Sequence, residues 1–159
     1  MTREEIAVAL SHIKTWQQIV ADKVSYALIL EDDAFFGRTF AAQLNRSWQE
    51  LPERRKDGFR FDILYLSYFE VEGGAQKVYF SPNLNRPIRG YWWLSGYVLS
   101  CSAAKQLLQS LPVIGPVDLW MNHHFSKLEV YLAHNPVIFQ RRDVESDNRY
   151  SILPLLSKH

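Results

Sequence analysis

The chain has 159 residues, enough for one domain with a real core, since a domain of about 150 residues buries roughly 70% of the surface its unfolded chain exposes. Its 18 Lys+Arg against 17 Asp+Glu leave a formal charge of +1 with no block of like charges, which argues against a nucleic-acid binder that works by neutralising phosphates and against a polybasic membrane anchor. At 47% hydrophobic and 22% charged the composition is that of a globular domain, not of a disordered, collagen-like or coiled-coil chain.

The lone cysteine, Cys101, has no partner for an intrachain disulfide and fits a reducing compartment. No apolar run approaches the roughly 18 residues of a transmembrane helix, and Met1-Thr2-Arg3-Glu4-Glu5 is acidic where a signal peptide is basic and then greasy.

Thr2-Arg3-Glu4-Glu5 has the capping-box pattern, and Ile6, Leu10, Ile13, Trp16 and Val20 follow one helical face, predicting a helix over about 3–21. After a turn at Asp22-Lys23-Val24-Ser25, the apolar run Tyr26-Ala27-Leu28-Ile29-Leu30 reads as a strand covered on both faces, stopping abruptly at Glu31-Asp32-Asp33. Phe36, Phe40, Leu44 and Trp48 recur every four residues as a second amphipathic helix that ends before Pro52. A charged loop, Glu53 to Gly58, leads to a second strand at Phe61–Ser67. Helix, strand, helix, strand is the alternation of an α/β sheet.

Residues 70–95, cut by Gly73-Gly74, Pro82, Pro87 and Gly90, read as a loop-rich or hairpin insertion. Gly96–Ser100 is a further strand, and Ser102 is the expected cap of a helix carrying Ala103, Leu107, Leu108 and Leu111. Val117 to about Lys127 reads as a helix, and Val130–Leu132 and Val137–Phe139 as short strands about Asn135-Pro136. No repeat, low-complexity tract or linker interrupts 1–159, so a single domain is expected. The aromatic residues crowd into 59–69 and 79–97, which is mostly core but includes room for a sugar or base platform.

Three consecutive carboxylates directly after a buried strand carry the strongest chemical signal. In α/β folds ligands bind beyond the carboxyl ends of strands, so Glu31, Asp32 and Asp33 arrive at the edge of a site. Alternation puts Glu31 and Asp33 on one side, where two carboxylates can hold a hard divalent cation against a diphosphate. The competing reading is a solvated turn or a helix cap. An aspartyl-phosphate phosphatase also places acids after a strand, but its nucleophile position is a glutamate here. His12 alone reads as a satisfied interior histidine. Asp118, close to a helix start, reads either as a cap or as a carboxylate general base. His123 and His124 read as ordinary helix residues, and there is no Gly-rich phosphate loop or Gly-x-Ser-x-Gly elbow.

Five patches occur in order: Ala9-Leu10-Ser11-His12 with Trp16; Tyr26 through Asp33; Ser95 through Ser100 with Ala104-Lys105; Pro116-Val117-Asp118; and Glu145-Ser146-Asp147. Together they resemble glycosyltransferase family 25, which contains bacterial lipooligosaccharide galactosyltransferases and is related to the procollagen galactosyltransferases. The resemblance implies a GT-A-like, Rossmann-like nucleotide-sugar domain in three α/β/α layers. It also implies inverting transfer of a sugar, commonly galactose from UDP-galactose, to a lipooligosaccharide or other glycan acceptor in the cytoplasm at the inner face of the membrane. By the same resemblance Asp33 and then Glu31 are expected to hold Mn²⁺ or Mg²⁺, and Asp118 either to take the acceptor proton or to bind the acceptor. Ser11, His12, Glu31, Asp32, Gly96, Tyr97, Glu145, Ser146 and Asp147 are expected to bind substrate.

Two departures stand out. Glu4-Glu5-Ile6-Ala7-Val8 replaces the family's frequent Gly-Glu-Ile-Gly-Cys, and the family's opening strand and Arg-rich stretch have no counterpart before the Leu-Ser-His helix. The domain is therefore expected to be N-terminally shortened, with an exposed sheet edge. The alternative expectation is an impaired family remnant that binds a glycan or a protein without transferring sugar.

Overall fold

The computed structural model describes residues 1–141. The first helix, α1 (Arg3–Asp22), is capped as its sequence predicts: Thr2 Oγ1 accepts from the Glu5 N–H and the Glu5 carboxylate accepts from the Thr2 N–H. Lys23, in the left-handed region at φ 55°, turns the chain into β1 (Tyr26–Leu30). There follow β2 (Ala34–Phe36), α2 (Phe40–Glu50), β3 (Ile63–Tyr65), β4 (Phe69–Glu70), β5 (Gln76–Ser81), β6 (Leu84–Arg89), β7 (Tyr91–Trp92) and β8 (Gly96–Ser100). Then come α3 (Cys101–Gln109), α4 (Val117–Asn122), a 3-10 turn at Phe125–Lys127, β9 (Val130–Ala133) and β10 (Ile138–Gln140).

Six strands form the central sheet in the order β1-β8-β3-β9-β6-β5. Only β3 and β9 pair in parallel; the other neighbours are antiparallel. The result is a mixed α/β domain whose mostly antiparallel sheet is flanked by helices, coarser than the Rossmann-like arrangement the sequence suggests. The physical difference is β8. It returns antiparallel between β1 and β3, so these two strands still point the same way but do not touch. Their carboxyl ends and the beginning of β8 therefore meet at one edge of the sheet.

Alternation along the central strands divides the core into two. Ile63 and Tyr65 of β3, Tyr97 and Leu99 of β8, and Val130 and Leu132 of β9 pack with Ala9, Trp16 and Ile19 of α1, Ala103 and Leu107 of α3, and Trp120 of α4. On the other face Leu64, Val98 and Tyr131 pack with Phe61, Leu66 and Ile138, and α2 adds Phe40, Leu44 and Trp48. Tyr26 lies in that second cluster, its ring 4.7 Å from Phe61.

Several sequence expectations change in detail. The run at β1 is not covered on both faces: it is an edge strand, with Leu28 and Leu30 both 42% exposed. A strand-length apolar run without alternation does not by itself locate its place in a sheet. Phe36 belongs to β2, which pairs with β10, so the second helix starts only at Phe40. Ser100, not Ser102, caps α3, its hydroxyl accepting from the Ala103 N–H at 3.0 Å. The segment from Val117 breaks after Asn122 into the 3-10 turn. The hairpin expected within 70–95 forms, as β5 and β6, but it is no mere insertion: it extends the main sheet.

Candidate active site

Where β1 ends and β8 begins, side chains distant in sequence form a connected polar chain. The Trp16 Nε1–H donates to the Tyr97 hydroxyl at 3.0 Å, and that hydroxyl lies 2.9 Å from His12 Nδ1. His12 Nε2 faces Glu31 Oε1 at 3.6 Å, and Glu31 Oε2 accepts from the Ser95 hydroxyl at 3.1 Å. The Glu31 N–H also donates to the Ser95 carbonyl. An indole N–H only donates, so the arrangement that uses every polar hydrogen has Tyr97 donating to Nδ1 and His12 carrying its proton on Nε2, toward Glu31. His12 and Tyr97 are buried. Burial, with a smaller push from Glu31, raises the Tyr97 phenol above its ordinary range and keeps it neutral.

The acidic turn follows directly. Asp33 Oδ1 is shielded from solvent and has no hydrogen-bond partner, while the Asp33 carbonyl accepts from the Arg141 N–H at 2.9 Å. Burial first, then the charges of Glu31 and Asp32, hold the Asp33 carboxyl above the usual range. An orphaned carboxylate oxygen beside two further acids suits a hard divalent cation, which would satisfy the oxygen and relieve the repulsion. Glu31 is less free to act as a ligand because its two oxygens already face His12 and Ser95. Among the described residues no group of three or more His, Cys, Asp or Glu side chains is arranged to hold a metal, so a cation here would need further ligands from a bound diphosphate and water.

Asp118, in the first turn of α4, closes the other side. Its Oδ2 accepts from the Trp93 N–H at 3.1 Å and its Oδ1 from the Leu119 N–H at 2.8 Å. Burial raises its pKa, those two hydrogen bonds oppose the rise, and the charge of Glu31 adds to it. The N-cap of α4 is Pro116, with no side-chain cap bond, so the cap expectation for Asp118 is not met; what the fold gives Asp118 is burial and two backbone donors, with its proton affinity raised. Tyr65, whose buried hydroxyl has no partner, feels both Tyr97 and Asp118.

Beside these acids opens a cleft of about 860 Å³ whose walls include Phe35, Ser67, Tyr68, Trp93, Phe139 and Gln140. Sequence reasoning assigned none of them a role. The advance signal was the aromatic crowding at 59–69, which holds Tyr68, and at 79–97, which holds Trp93.

Of the sequence candidates, His12, Glu31, Tyr97 and Asp118 are brought together, with Asp33 on the adjoining turn. Asp32 is exposed on that turn, with its charge felt by Asp33. Ser11 is not part of the group: it lies on the solvent face of α1 with its hydroxyl donating to the Ala7 carbonyl. Tyr97 is a buried support for His12 and not a surface that substrate touches. Gly96 serves packing, because a Cβ there would lie 2.4 Å from Ile138. Glu145, Ser146 and Asp147 lie outside the described residues. His123 is exposed, and His124 packs edge-on against Trp120.

Comparisons with known proteins agree on one family. The family model described as glycosyltransferase family 25 (LPS biosynthesis protein) matches residues 1–121, and the chain belongs to that family. Over 162 residues it is 30% identical to procollagen galactosyltransferase 1 of Danio rerio, covering 98% of this chain and 25% of that protein. It is 29% identical to inactive glycosyltransferase 25 family member 3 of Homo sapiens, with 99% and 25% covered. A glycosyltransferase 25 family member of Aedes aegypti is 29% identical, with 94% and 26% covered. The chain spans about a quarter of the length of these relatives. No helix among the described residues is long and apolar enough to cross a membrane.

Proposed function

We propose that this chain forms the sugar-transfer site of a metal-dependent, inverting glycosyltransferase that moves a hexose, galactose from UDP-galactose, onto a lipooligosaccharide or other glycan acceptor. The observation that carries this reading is the placement of Asp33, with its unpartnered buried oxygen, on the same edge of the sheet as Glu31 and Asp118. Asp33, with Glu31 beside it, would hold Mn²⁺ or Mg²⁺, which when bound offsets the negative charge of the departing diphosphate. Asp118 has the properties of the base: a carboxylate whose desolvation raises its proton affinity, fixed by two backbone N–H groups and with lone pairs to spare. It would accept the acceptor hydroxyl's proton as that oxygen bonds to the anomeric carbon and the bond to the diphosphate breaks on the opposite face. His12, supported by Tyr97 and Trp16, sets the orientation of Glu31.

Isothermal calorimetry of UDP with and without Mn²⁺ tests the metal assignment. Binding is expected to require the ion and to be lost in Asp33→Asn; an unchanged affinity in that variant removes the acidic turn from the mechanism. A second reading, a binding module without transfer activity, is favoured by one feature, the engagement of both Glu31 oxygens by His12 and Ser95. Several relatives are themselves named inactive. Release of UDP from UDP-hexoses in the presence of Mn²⁺ separates the two, because a pure binding module releases none.

A further inference from the structure

Trp93 has φ 70°, a left-handed backbone that suits glycine and is uncommon for a bulky side chain. Such a residue persists only where its surroundings over-determine it, and positions of this kind cluster at ligand clamps and active sites. Here the surroundings are identifiable. The Trp93 N–H donates to Asp118 Oδ2, and its ring packs on Phe69 with centroids 5.2 Å apart. The indole also forms part of the cleft wall. Two more aromatic residues of that wall, Phe35 and Phe139, are themselves 5.5 Å apart. Phe35 follows the acidic turn by two residues, so the cleft begins where the carboxylates end.

Its lining chemistry narrows the occupant. Aromatic faces are joined by the neutral polar groups of Ser67 and Gln140 and by Arg141. Aromatic rings take the C–H face of a pyranose, and neutral amide and hydroxyl groups pair with its hydroxyls; this is the mixture of apolar walls and a few placed polar groups found in sites for small polar ligands. Arg141 is the one cation of the described lining, and the reading of the acids above puts the metal that would offset a diphosphate at Asp33, outside these walls.

We propose that this cleft is a pyranose-binding subsite, that Trp93 is the platform on which the sugar ring stacks, and that Asp118 fixes the platform through the Trp93 backbone. Calling that sugar the acceptor rests on the transferase reading above; the binding of a pyranose to Trp93 does not. One carboxylate then couples two tasks, so loss of Asp118 disturbs ring stacking as well as proton transfer.

Saturation-transfer NMR with methyl β-galactopyranoside on the whole chain tests this, with UDP plus Mn²⁺ measured on the same samples. The native protein is expected to transfer saturation to the C–H protons of one sugar face. Trp93→Phe should retain the contact with weaker affinity, and Trp93→Gly, which accepts the left-handed backbone without strain, should bind the pyranoside at least ten-fold more weakly while melting at or above the native temperature. UDP binding should be unaffected by either change. A native protein that binds no pyranoside, a Trp93→Gly variant that binds it as well as the native chain, or displacement of the pyranoside by UDP from the aromatic walls would each overturn the proposal. Loss of Mn²⁺-dependent UDP binding with Trp93-dependent sugar binding intact would instead defeat the metal assignment and leave this subsite standing.

Discussion

Tyr97 joins two buried nitrogens through one hydroxyl, which accepts a hydrogen bond from the Trp16 Nε1–H and lies against His12 Nδ1. Phenylalanine in its place keeps the ring and strands both nitrogens, each worth about 1–3 kcal/mol when buried and unpaired. Tyr97→Phe is therefore expected to lower stability by about 2–4 kcal/mol in urea unfolding, with the denaturant slope unchanged. A loss below about 0.5 kcal/mol would mean that water replaces the hydroxyl. His12 shows why such residues resist prediction. Taken alone it reads as an interior histidine, and it is buried, but the apolar face expected for α1 is partly wrong: Ile6 and Leu10 are 44% and 51% exposed while Ala9, His12, Trp16 and Ile19 face inward. Nothing local in the sequence says that the partners of His12 stand 85 and 19 positions away. Asp33 and Asp118 were more legible, because a strand end and a helix start are positions that a sequence does mark.

At the scale of elements, the loop between α2 and β3 is tied down by one ion pair. Arg55 makes a two-pronged bond to Asp62, each contact 2.9 Å, and Asp62 is almost fully buried while also accepting from the Glu129 N–H. The carboxylate beside it holds the Arg55 guanidinium even more firmly protonated than usual. Arg55→Met would leave the buried carboxylate with the Glu129 N–H and a long bond from the Ser100 hydroxyl but no cation, and should cost about 1.5–3 kcal/mol. The pair Lys77–Glu70 has both side chains more than a third exposed, so Lys77→Met should stay within about 0.5 kcal/mol. Thermal melts of the two variants side by side check the contrast, and equal losses would contradict it. The elements themselves were largely readable: α1, β1, β3, β8 and β9 stand close to where periodicity and apolar runs put them. The misplaced boundaries share one cause. The β2 and β10 pairing and the role of β1 as an edge are decided by contacts between distant segments, which no local pattern carries.

For the whole molecule, the burial of Asp118 implies a pH dependence of defined sign. Its carboxyl titrates above the ordinary aspartate value of 3.8 in the folded state because the charged form is desolvated. The favourable contribution of the protonated form is complete at and below that ordinary value and is lost as pH rises through the raised one. Asn at this position does not titrate. The melting temperature of the native protein minus that of Asp118→Asn should therefore fall from pH 4 to pH 7 in scanning calorimetry, and a rise would show that Asp118 gains from ionisation. Architecture was legible at the level of class. Strand direction in β1 and β3 followed the helix–strand alternation, while the insertion of β8 between them is a long-range choice that only the assembled sheet reveals.

That insertion also bears on how the protein comes to be competent. Trp16, His12 and Glu31 precede β8, and their partners Tyr97 and Ser95 arrive with it, 64 to 85 positions later along the chain. Closing loops of that size is entropically costly and is rewarded only when the strands dock, which slows chains rich in distant pairings. No form of the chain in which β1 and β8 are apart can contain the polar network, however well its helices are formed. The polar network at this edge is thus a gauge of one long-range pairing: it is absent from every state in which β1 and β8 are apart and appears when they dock.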